Sequence, residues 1–332
     1  MSRNNDLLIS TDFRDGGLPV LVTPSVSNDS SETLWKQYEE QIKQISEEYL
    51  PSHGGILFRG FQQQGNDASC KSFANLFSDE LLSYEFGSTP RTDLGEGVYT
   101  ATEYPAHQII PLHNEQAYTL QWPLNIWFHC VKASEVGGET PIADSRKIYQ
   151  KIPSDIRARF DEKKLMYVRN FGNGLDLPWE KVFNTDSKDQ VEEYCRAQAI
   201  KFEWKDDGEL RTSQRCQATA QHLTTKDWVW FNQAHLFHVS NLDEATRDVL
   251  LDVVEIEDLP RNVYYADGST IEDSILDEVR GVLAQESVLF DWQEGDFLML
   301  DNMLAAHGRS TFKGERKIVV AMANGHDSTQ SI

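Results

Sequence analysis

Residues 113–146 read HNEQAYTLQWPLNIWFHCVKASEVGGETPIADSR, and residues 301–322 read DNMLAAHGRSTFKGERKIVVAM. The first stretch opens on His113 and Glu115, two positions apart, and the second contains His307. In an extended strand, side chains i and i+2 point to the same face, so His113 and Glu115 can reach one metal ion. Two imidazoles and one carboxylate are the ligands by which non-haem iron oxygenases hold Fe(II) on one face. The pattern therefore predicts an iron site that joins two distant strands.

Short apolar segments along the chain have the composition of β-strands. Residues 98–100, 124–131 and 296–301 are rich in β-branched or aromatic side chains, and Pro, Gly and Asn separate such segments. Predicted helices at residues 243–254 and 271–285 lie between strands. The pattern predicts a mainly β fold with peripheral helices and a jelly-roll core.

Residues 1–332 are expected to form a single domain, because the chain has no internal repeat, low-complexity tract or long linker. The segment from about residue 173 to 217 is rich in Asp, Glu, Lys and Gln. We expect it to be an insertion between strands, either a lid over the active site or a surface excursion. Residues 323–332 are expected to form a polar tail.

The formal net charge of −22 and the pI near 4.7 bear on the choice of partners. Nucleic acid and anionic lipid both attract basic surfaces, so this charge argues against either partner. No segment approaches the ~20 apolar residues of a membrane span, and the first residues lack the apolar run of a signal peptide. The four cysteines are far apart and form no CxxC pair, which favours reduced thiols. A cytoplasmic protein is therefore expected.

Other histidines offer competing metal sites. His235 and His238 could meet on one helical turn, but no Glu follows the first histidine as in the HExxH motif of zinc proteases. The remaining competitors are interpreted as structural residues, and they are His53, His107, His129 and His222.

Arg316 lies at the start of an apolar strand, nine residues after His307. An arginine at a barrel mouth is suited to a bidentate hydrogen bond with a carboxylate, and the hydroxyl of Thr140 could donate to the same group. A co-substrate that chelates iron at one end and carries a carboxylate at the other would fit this arrangement. Neither a cupin-type isomerase nor a zinc hydrolase would explain Arg316.

These stretches resemble the taurine dioxygenase and clavaminate synthase group of Fe(II)/2-oxoglutarate oxygenases. The resemblance covers roughly residues 50–323 and is closest to the branch that hydroxylates amino acids, often bound to carrier proteins, in nonribosomal peptide (syringomycin-type) and other antibiotic pathways. Further matching segments are STPRT (88–92), TATEYP (100–105), MYVRNFGNGLDLPWE (166–180) and WFNQAHLFHVSNL (230–242).

The resemblance implies a clavaminate synthase-like double-stranded β-helix that uses Fe(II), 2-oxoglutarate and O2. His113, Glu115 and His307 match the iron ligands of the family. Arg316 and Thr140 match the residues that hold the distal carboxylate of 2-oxoglutarate. Glu115 disfavours halogenation, because the related halogenases carry a small residue at that position. Taurine is a poor substrate candidate, because Val320-Ala321-Met322 replaces the arginine that binds its sulfonate.

The implied reaction is hydroxylation of an unactivated C–H bond, with succinate and CO2 as co-products. The implied substrate is an amino acid or an amino-acid derivative, either free or presented on a peptidyl carrier protein. Desaturation, epoxidation or cyclisation on the same scaffold stays open, because the ligand set would be identical. A non-catalytic metal-binding jelly-roll protein is a further alternative. The resemblance does not predict the oligomeric state.

Four residues are candidate substrate contacts. Arg91 and Arg169 could each pair with a substrate carboxylate, or with an acidic neighbour in this acidic chain. Asn232 and Gln233 follow a predicted strand, where they could line the pocket or terminate the strand.

Overall fold

Antiparallel strands make up most of the interior, and helices cover their outer faces. The computed structural model describes residues 7–25, 34–62, 65–84, 86, 91–172, 174–205 and 208–329. Its strands are β1 (Leu7–Ser10), β2 (Val20–Pro24), β3 (Gly55–Phe58), β4 (Asp93–Gly95), β5 (Val98–Thr100), β6 (Ile110–His113), β7 (Gln121–Lys132), β8 (Val136–Gly137), β9 (Ile142–Asp144), β10 (Leu165–Phe171), β11 (Lys201–Trp204), β12 (Leu210–Cys216), β13 (Thr219–Gln221), β14 (Trp228–Trp230), β15 (Arg261–Tyr265), β16 (Phe297–Asp301), β17 (Ala305–Arg309), β18 (Phe312–Lys313) and β19 (Lys317–Asp327). Its α-helices are α1 (Glu39–His53), α2 (Asp67–Ala74), α3 (Ser145–Lys151), α4 (Ser154–Lys163), α5 (Trp179–Val182), α6 (Lys188–Ala197), α7 (Ala234–Phe237), α8 (Glu244–Val253) and α9 (Asp273–Glu286).

Two sheets enclose the inner core. The larger sheet has the strand order β1-β2-β3-β16-β7-β19-β5-β4, and the smaller one has the order β6-β17-β9. Phe128, Leu298 and Ile318 of the larger sheet pack in one buried cluster with Ile142 and Ala305 of the smaller sheet. This arrangement is the predicted jelly roll, and the fold prediction is confirmed.

Alternate residues of the larger sheet point to opposite faces, as the period of a strand requires. Phe128 faces the inner core, whereas its neighbour Trp127 packs with Phe297 and Val319 in a second cluster. Helices α1 and α2 contribute further side chains to that outer cluster, including Ile42. The larger sheet is therefore apolar on both faces and is rigidly held behind the site.

A separate four-stranded sheet with the order β11-β12-β10-β15 contains much of the predicted insertion. Residues 174–205 and 208–217 form α5, α6, β11 and β12, and β12 pairs with both β10 and β11. Of the described residues in this segment, Leu175 and Asp176 line the cavity beside the candidate metal site. Most of the predicted insertion therefore consists of regular strands and helices. A function as a lid stays a prediction for Leu175, Asp176 and their neighbours.

Two other predicted boundaries differ from the structure. Residues 323–327 do not form a tail, because β19 continues to Asp327 and pairs Gly325 with Pro123 of β7. Residues 287–292, whose alternation of apolar and polar side chains is also typical of a strand, form only an isolated bridge between Val288 and Ile142. No helix among the described residues combines the length and apolar character that a membrane crossing needs.

Candidate metal centre

The three predicted metal ligands lie together at the rim of the jelly roll. Strands β6 and β17 are antiparallel neighbours whose register sets His307 opposite His113, and their ring centroids are 4.5 Å apart. Glu115 follows β6 in a turn, and its Oε2 lies 3.7 Å from Nε2 of His307. One potential ligand atom from each residue lies within 4.8 Å of the others. Within the described part of the chain, this is the one cluster of His, Cys, Asp and Glu side chains that could hold a metal ion.

Both imidazoles are in the form that binds a metal. His113 donates from Nδ1 to the carbonyl oxygen of Pro111 at 2.8 Å, which leaves the lone pair of Nε2 available. Burial lowers the pKa of His113, and the nearby carboxylate of Glu115 only partly opposes this effect. Burial also lowers the pKa of His307, and the proximity of His113 lowers it further. Neutral imidazoles beside a carboxylate are a donor set that fits Fe(II).

Arg91 is the cation nearest to this cluster. Its Nη2 donates to Oε2 of Glu115 at 2.7 Å, and its guanidinium stacks over the ring of Tyr84 at 4.3 Å. Nε and Nη1 of Arg91 are buried and have no hydrogen-bond partner among the described residues. Of the two partners that the sequence allowed for Arg91, a substrate carboxylate or an acidic neighbour, the structure shows the acidic neighbour Glu115.

Arg316 and Thr140 lie beside the cluster in a narrow cavity of about 30 Å³, which His113 and His307 also line. Arg316 donates from Nε to the carbonyl of Gly138 at 2.9 Å, and Thr140 accepts at Oγ1 from Nε1 of Trp292 at 3.0 Å. The hydroxyl proton of Thr140 therefore stays available to a ligand.

The charge of Arg316 is not neutralised by a neighbouring carboxylate. Burial lowers its pKa to about 10, so the guanidinium is still charged at neutral pH. No carboxylate in the described ranges forms an ion pair with Arg316. Lys317, the next residue, points to the opposite face and binds Asp67 of α2 at 2.6 Å. Arg316 is thus a partly buried cation without an ion-pair partner among the described carboxylates.

Gly138 allows Arg316 to approach the turn between β8 and β9. Its φ of 77° lies in the left-handed region. A Cβ atom built on Gly138 would lie 2.2 Å from Oγ of Ser134 and 3.0 Å from Cδ of Arg316. Both the conformation and the space therefore require glycine at this position.

A larger cavity of about 610 Å³ opens on the other side of the cluster. Arg91, His113 and Glu115 line its inner end, and Arg91 and His113 line the narrow cavity as well. Arg261 lines the larger cavity and pairs with Asp176 at 2.6 Å. The apolar wall consists of Ile109, Ile110, Leu236, Phe237, Val239, Leu242, Leu250, Leu259 and Pro260. Two compartments therefore meet at the candidate metal centre.

The structure separates the other candidate substrate contacts. Arg169 does not line either cavity at the cluster; its guanidinium packs over Phe86 and Phe171 at 5.0 and 4.8 Å. Asn232 is also outside the cavity, because its side chain donates to the carbonyl of Ala218 at 2.6 Å and accepts from the first residue of α7. Gln233 does line the larger cavity. Arg91 and Gln233 are thus at the site, whereas Arg169 and Asn232 lie outside both cavities.

Most of the competing histidines have protein partners, and in the part of the chain that the structure describes they form no second metal cluster. His235 binds the carbonyl of Leu112, and His238 binds Ser240. Sequence reasoning missed the far wall of the larger cavity, including Asp176, Arg261 and Leu250. Leu250 and Thr246 are one turn apart on α8, so the amphipathic pattern of that helix was the available signal.

Comparisons with known proteins agree with this geometry. The sequence profile described as "Taurine catabolism dioxygenase TauD, TfdA family" matches residues 22–322. The dapdiamide synthesis protein DdaC of Enterobacter agglomerans is 40% identical over 302 residues, which cover 91% of this chain and 90% of DdaC. A clavaminate synthase-like protein of Arabidopsis thaliana is 28% identical over 299 residues, which cover 87% of each chain.

Solved structures share the fold at low sequence identity. PvcB of Pseudomonas aeruginosa aligns with a TM-score of 0.50 and 16% identity, over 91% of this chain and 84% of PvcB. PvcB is described as an Fe, alpha-ketoglutarate dependent oxygenase from an isonitrile synthetic pathway. A taurine dioxygenase from Burkholderia xenovorans aligns with a TM-score of 0.50 and 15% identity, over 92% of this chain and 86% of that one. The similarity to these solved structures is a similarity of fold.

Proposed function

The chain belongs to the TauD/TfdA dioxygenase family, and from this premise we propose that it hydroxylates an unactivated C–H bond of an amino acid or amino-acid derivative in natural-product biosynthesis. Like other members, it is an Fe(II)- and 2-oxoglutarate-dependent dioxygenase that uses O2. The observation that carries the proposal is the meeting of two cavities at His113, Glu115 and His307. One cavity suits the co-substrate, and the other suits the molecule to be oxidised.

His113, Glu115 and His307 are proposed to hold Fe(II). Bound iron supplies dioxygen activation and C–H oxidation, and 2-oxoglutarate supplies two electrons as it becomes succinate and CO2. The chain contributes neutral imidazoles, a carboxylate held by Arg91, and surroundings that exclude water. These contributions are ligation, orientation and desolvation.

Arg316 and Thr140 are proposed to bind the distal carboxylate of 2-oxoglutarate. The support is an unneutralised guanidinium and an available hydroxyl in one cavity. Arg316 uses Nε for the carbonyl of Gly138, and the two terminal nitrogens of its guanidinium are the proposed donors to the carboxylate.

The larger cavity supports a substrate that carries a carboxylate. Arg91 places a cation in the wall of this cavity, and Gln233 adds a polar edge. An amino acid also carries an ammonium group, for which Asp176 is the candidate partner because it lies in the same cavity beside Arg261. The apolar wall would then contact the remaining carbon chain. The printed functions of DdaC and PvcB, dapdiamide synthesis and an isonitrile pathway, are consistent with this class.

Presentation of the substrate on a peptidyl carrier protein stays part of the proposal, as does a cytoplasmic location. The four cysteines are buried as free thiols, which suits a reducing compartment. A carrier-bound substrate would have its carboxylate as a thioester and would make less use of Arg91. Free and thioester-linked substrates therefore differ in how strongly they depend on that residue.

The ligand assignment is tested by anaerobic titration with Fe(II) and 2-oxoglutarate, which should produce the visible charge-transfer band of the chelate. His307→Ala should abolish the band. His326→Ala, which alters a histidine outside both cavities, is the matched control and should keep it. Retention of the band and of full succinate formation in His307→Ala would show the ligand set to be wrong.

The reaction is tested with a panel of amino acids, free and as carrier thioesters, by following substrate-triggered succinate and product mass. Hydroxylation or epoxidation adds one oxygen, whereas desaturation removes two hydrogens. Epoxidation differs from hydroxylation in requiring an alkene in the substrate. Failure of every panel member to stimulate succinate formation would favour a non-catalytic metal-binding protein.

A further inference from the structure

Asn302 lies in the turn between β16 and β17, and its side chain closes a ring of hydrogen bonds with Glu115. The Oδ1 atom accepts from the backbone N–H of Glu115 at 2.7 Å, and Nδ2 donates to the Glu115 carbonyl at 3.0 Å. Nδ2 also donates to the carbonyl of Pro123 at 2.9 Å. Asn302 is completely buried, so water does not compete for these bonds.

The backbone of Glu115 needs an acceptor for its N–H and a donor for its carbonyl, and a carboxamide side chain provides both. An asparagine offers one acceptor and two donors, whereas an ionised aspartate only accepts and a leucine does neither. Glu115 lies in a turn beyond the end of β6, where the sheet ladder no longer fixes its position. A buried peptide group without hydrogen-bond partners destabilises the fold, and Asn302 supplies at Glu115 the partners that the sheet supplies elsewhere.

The same segment is held from other sides. The side chain of Asn114 donates from Nδ2 to the backbone carbonyl of Asn302 at 2.6 Å. Gln233 donates from Nε2 to the carbonyl of Asn114 at 2.7 Å, and His235 binds the carbonyl of Leu112 at 2.8 Å. Buried side chains from distant parts of the chain therefore hold the backbone from Leu112 to Glu115, which we call the ligand turn.

Asn302 is itself well anchored. Its backbone N–H donates to the carbonyl of Leu124 at 2.9 Å. The preceding Asp301 accepts at Oδ1 from the N–H groups of Met303 and Leu304 at 2.9 and 3.1 Å. The turn that carries Asn302 continues directly into β17, the strand of His307. One short segment thus fixes the positions of two of the three proposed ligands.

We propose that Asn302 is a positioning residue that sets the direction of the Glu115 carboxylate relative to His113 and His307, with Gln233 supporting the ligand turn from the cavity side. Asn302 acts through the backbone of Glu115 and does not itself touch the metal. This inference rests on the proposed ligand set. Loss of such supporting partners typically lowers metal affinity about 10–100-fold.

The test is anaerobic titration of the full-length protein with Co(II), whose visible absorption reports both affinity and coordination geometry. Asn302→Asp keeps the acceptor for the Glu115 N–H and removes the donor to its carbonyl. We expect Co(II) affinity to fall about 10–100-fold, with an altered absorption spectrum. Asn302→Ser, which keeps only a small hydroxyl, should show the same direction.

Gln214→Glu is the matched control. Gln214 is a buried amide that donates to the carbonyl of Gln198 at 2.7 Å and lies outside the two cavities at the cluster. The same amide-to-acid exchange should destabilise the fold there and leave Co(II) affinity within about twofold of the original, because no ligand is attached to that region. A general loss of stability is thereby separated from misplacement of Glu115.

Wild-type Co(II) affinity and an unchanged spectrum in folded Asn302→Asp would overturn the inference. If both Asn302 variants fail to fold, Gln233→Leu carries the test, since it removes the bond to Asn114 alone; unchanged affinity there would also overturn it. His113→Ala distinguishes failure of the proposed ligand set from failure of the positioning role of Asn302. Co(II) binding retained in His113→Ala refutes the ligand set, whereas binding lost there but retained in Asn302→Asp refutes only the positioning role.

Discussion

Arg91 donates from Nη2 to Oε2 of Glu115 at 2.7 Å, and both side chains are 4% exposed. A buried ion pair of this kind leaves an uncompensated charge when one partner is removed, at a cost of about 3–5 kcal/mol. A divalent cation bound by Glu115 compensates the same negative charge. Arg91 and the metal are therefore alternative sources of compensation for one carboxylate.

Arg91→Met should lower the free energy of unfolding of the metal-free protein by about 3 kcal/mol. Addition of Mn(II) should recover more stability in the variant than in the original chain, because the metal then meets a carboxylate without another cation. Urea unfolding with and without Mn(II) measures both quantities. Equal metal-dependent stabilisation in the two proteins would contradict the shared role of Arg91 and the metal.

Lys317→Met is the control for this experiment. Lys317 pairs with Asp67 at 2.6 Å, but these side chains are 40% and 39% exposed. Solvent screening limits such a pair to about 0–1 kcal/mol, so unfolding should change little.

Arg316→Lys should raise the KM for 2-oxoglutarate while leaving Co(II) affinity unchanged. Lysine keeps the charge and loses the planar fork that binds a carboxylate with two hydrogen bonds. The loss of one charge-assisted bond corresponds to about a 10–100-fold higher KM. Steady-state succinate formation over a range of keto-acid concentrations gives the value. An unchanged KM would remove Arg316 from the co-substrate site.

Gly138→Ala should displace Arg316 and produce the same kinetic defect without touching its guanidinium. The added Cβ meets Cδ of Arg316 at 3.0 Å, in addition to the strain of a positive φ. Gly268→Ala introduces the same kind of strain, because its φ is 88°, but no atom lies within 4 Å of the added carbon. Gly268→Ala should lose about 1 kcal/mol of stability. Gly138→Ala should lose more, because its added Cβ also overlaps Oγ of Ser134, and only Gly138→Ala should raise the KM for 2-oxoglutarate.

The stability of the protein should fall in mild acid. Burial lowers the pKa of His129 to about 4, from 6.5 in an unperturbed side chain. Between these values the unfolded chain binds a proton that folded His129 does not, so stability is complete above about pH 6.5 and decreases towards pH 4. The contribution of this residue is about 3 kcal/mol.

His129→Gln should flatten the pH dependence of urea unfolding between about pH 7 and pH 4. Glutamine can still donate to the carbonyl of Asp296, which His129 contacts at 3.0 Å, and it does not titrate. His235 also has a pKa lowered by burial to about 4, so part of the slope should persist. An identical slope in the variant would contradict a neutral, buried His129.

The proposed ligand set could be read from the sequence because its geometry depends on two simple rules. Alternation in a strand predicts that His113 and Glu115 share one side, although β6 ends at His113 and Asn302 holds Glu115 in the turn that follows. An apolar strand after a turn presents His307. Helices α8 and α9 were also predicted within two residues of their observed ends, because their apolar spacing is regular. The local sequence was enough to predict an element wherever its apolar residues recur at the regular spacing of a strand or a helix.

Strand β12 shows why the rest could not be predicted. Its buried face carries Leu210, Thr212, Gln214 and Cys216, so half of the inward positions are polar. The polar side chains find partners inside the protein, as Gln214 does with the carbonyl of Gln198, and no hydrophobic alternation is left to detect. The whole segment consequently resembled a solvated insertion.

The two arginines illustrate a different limit. Arg91 and Arg169 are equivalent in sequence, and the structure distinguishes them by what surrounds the guanidinium. Arg169 is enclosed by Phe86 and Phe171, while Arg91 faces Glu115 and a cavity. Such tertiary contacts leave no local signature.

The pairing of β6 with β17 brings together residues from the first half of the chain and from its last tenth. On the ribosome, His113 and Glu115 emerge long before His307, and β19 must still follow to complete the larger sheet. The proposed coordination sphere of a nascent chain is therefore incomplete until His307 has been synthesised. A translation product that ends before His307 should bind iron more weakly than the full chain, because it lacks one of the three proposed ligands.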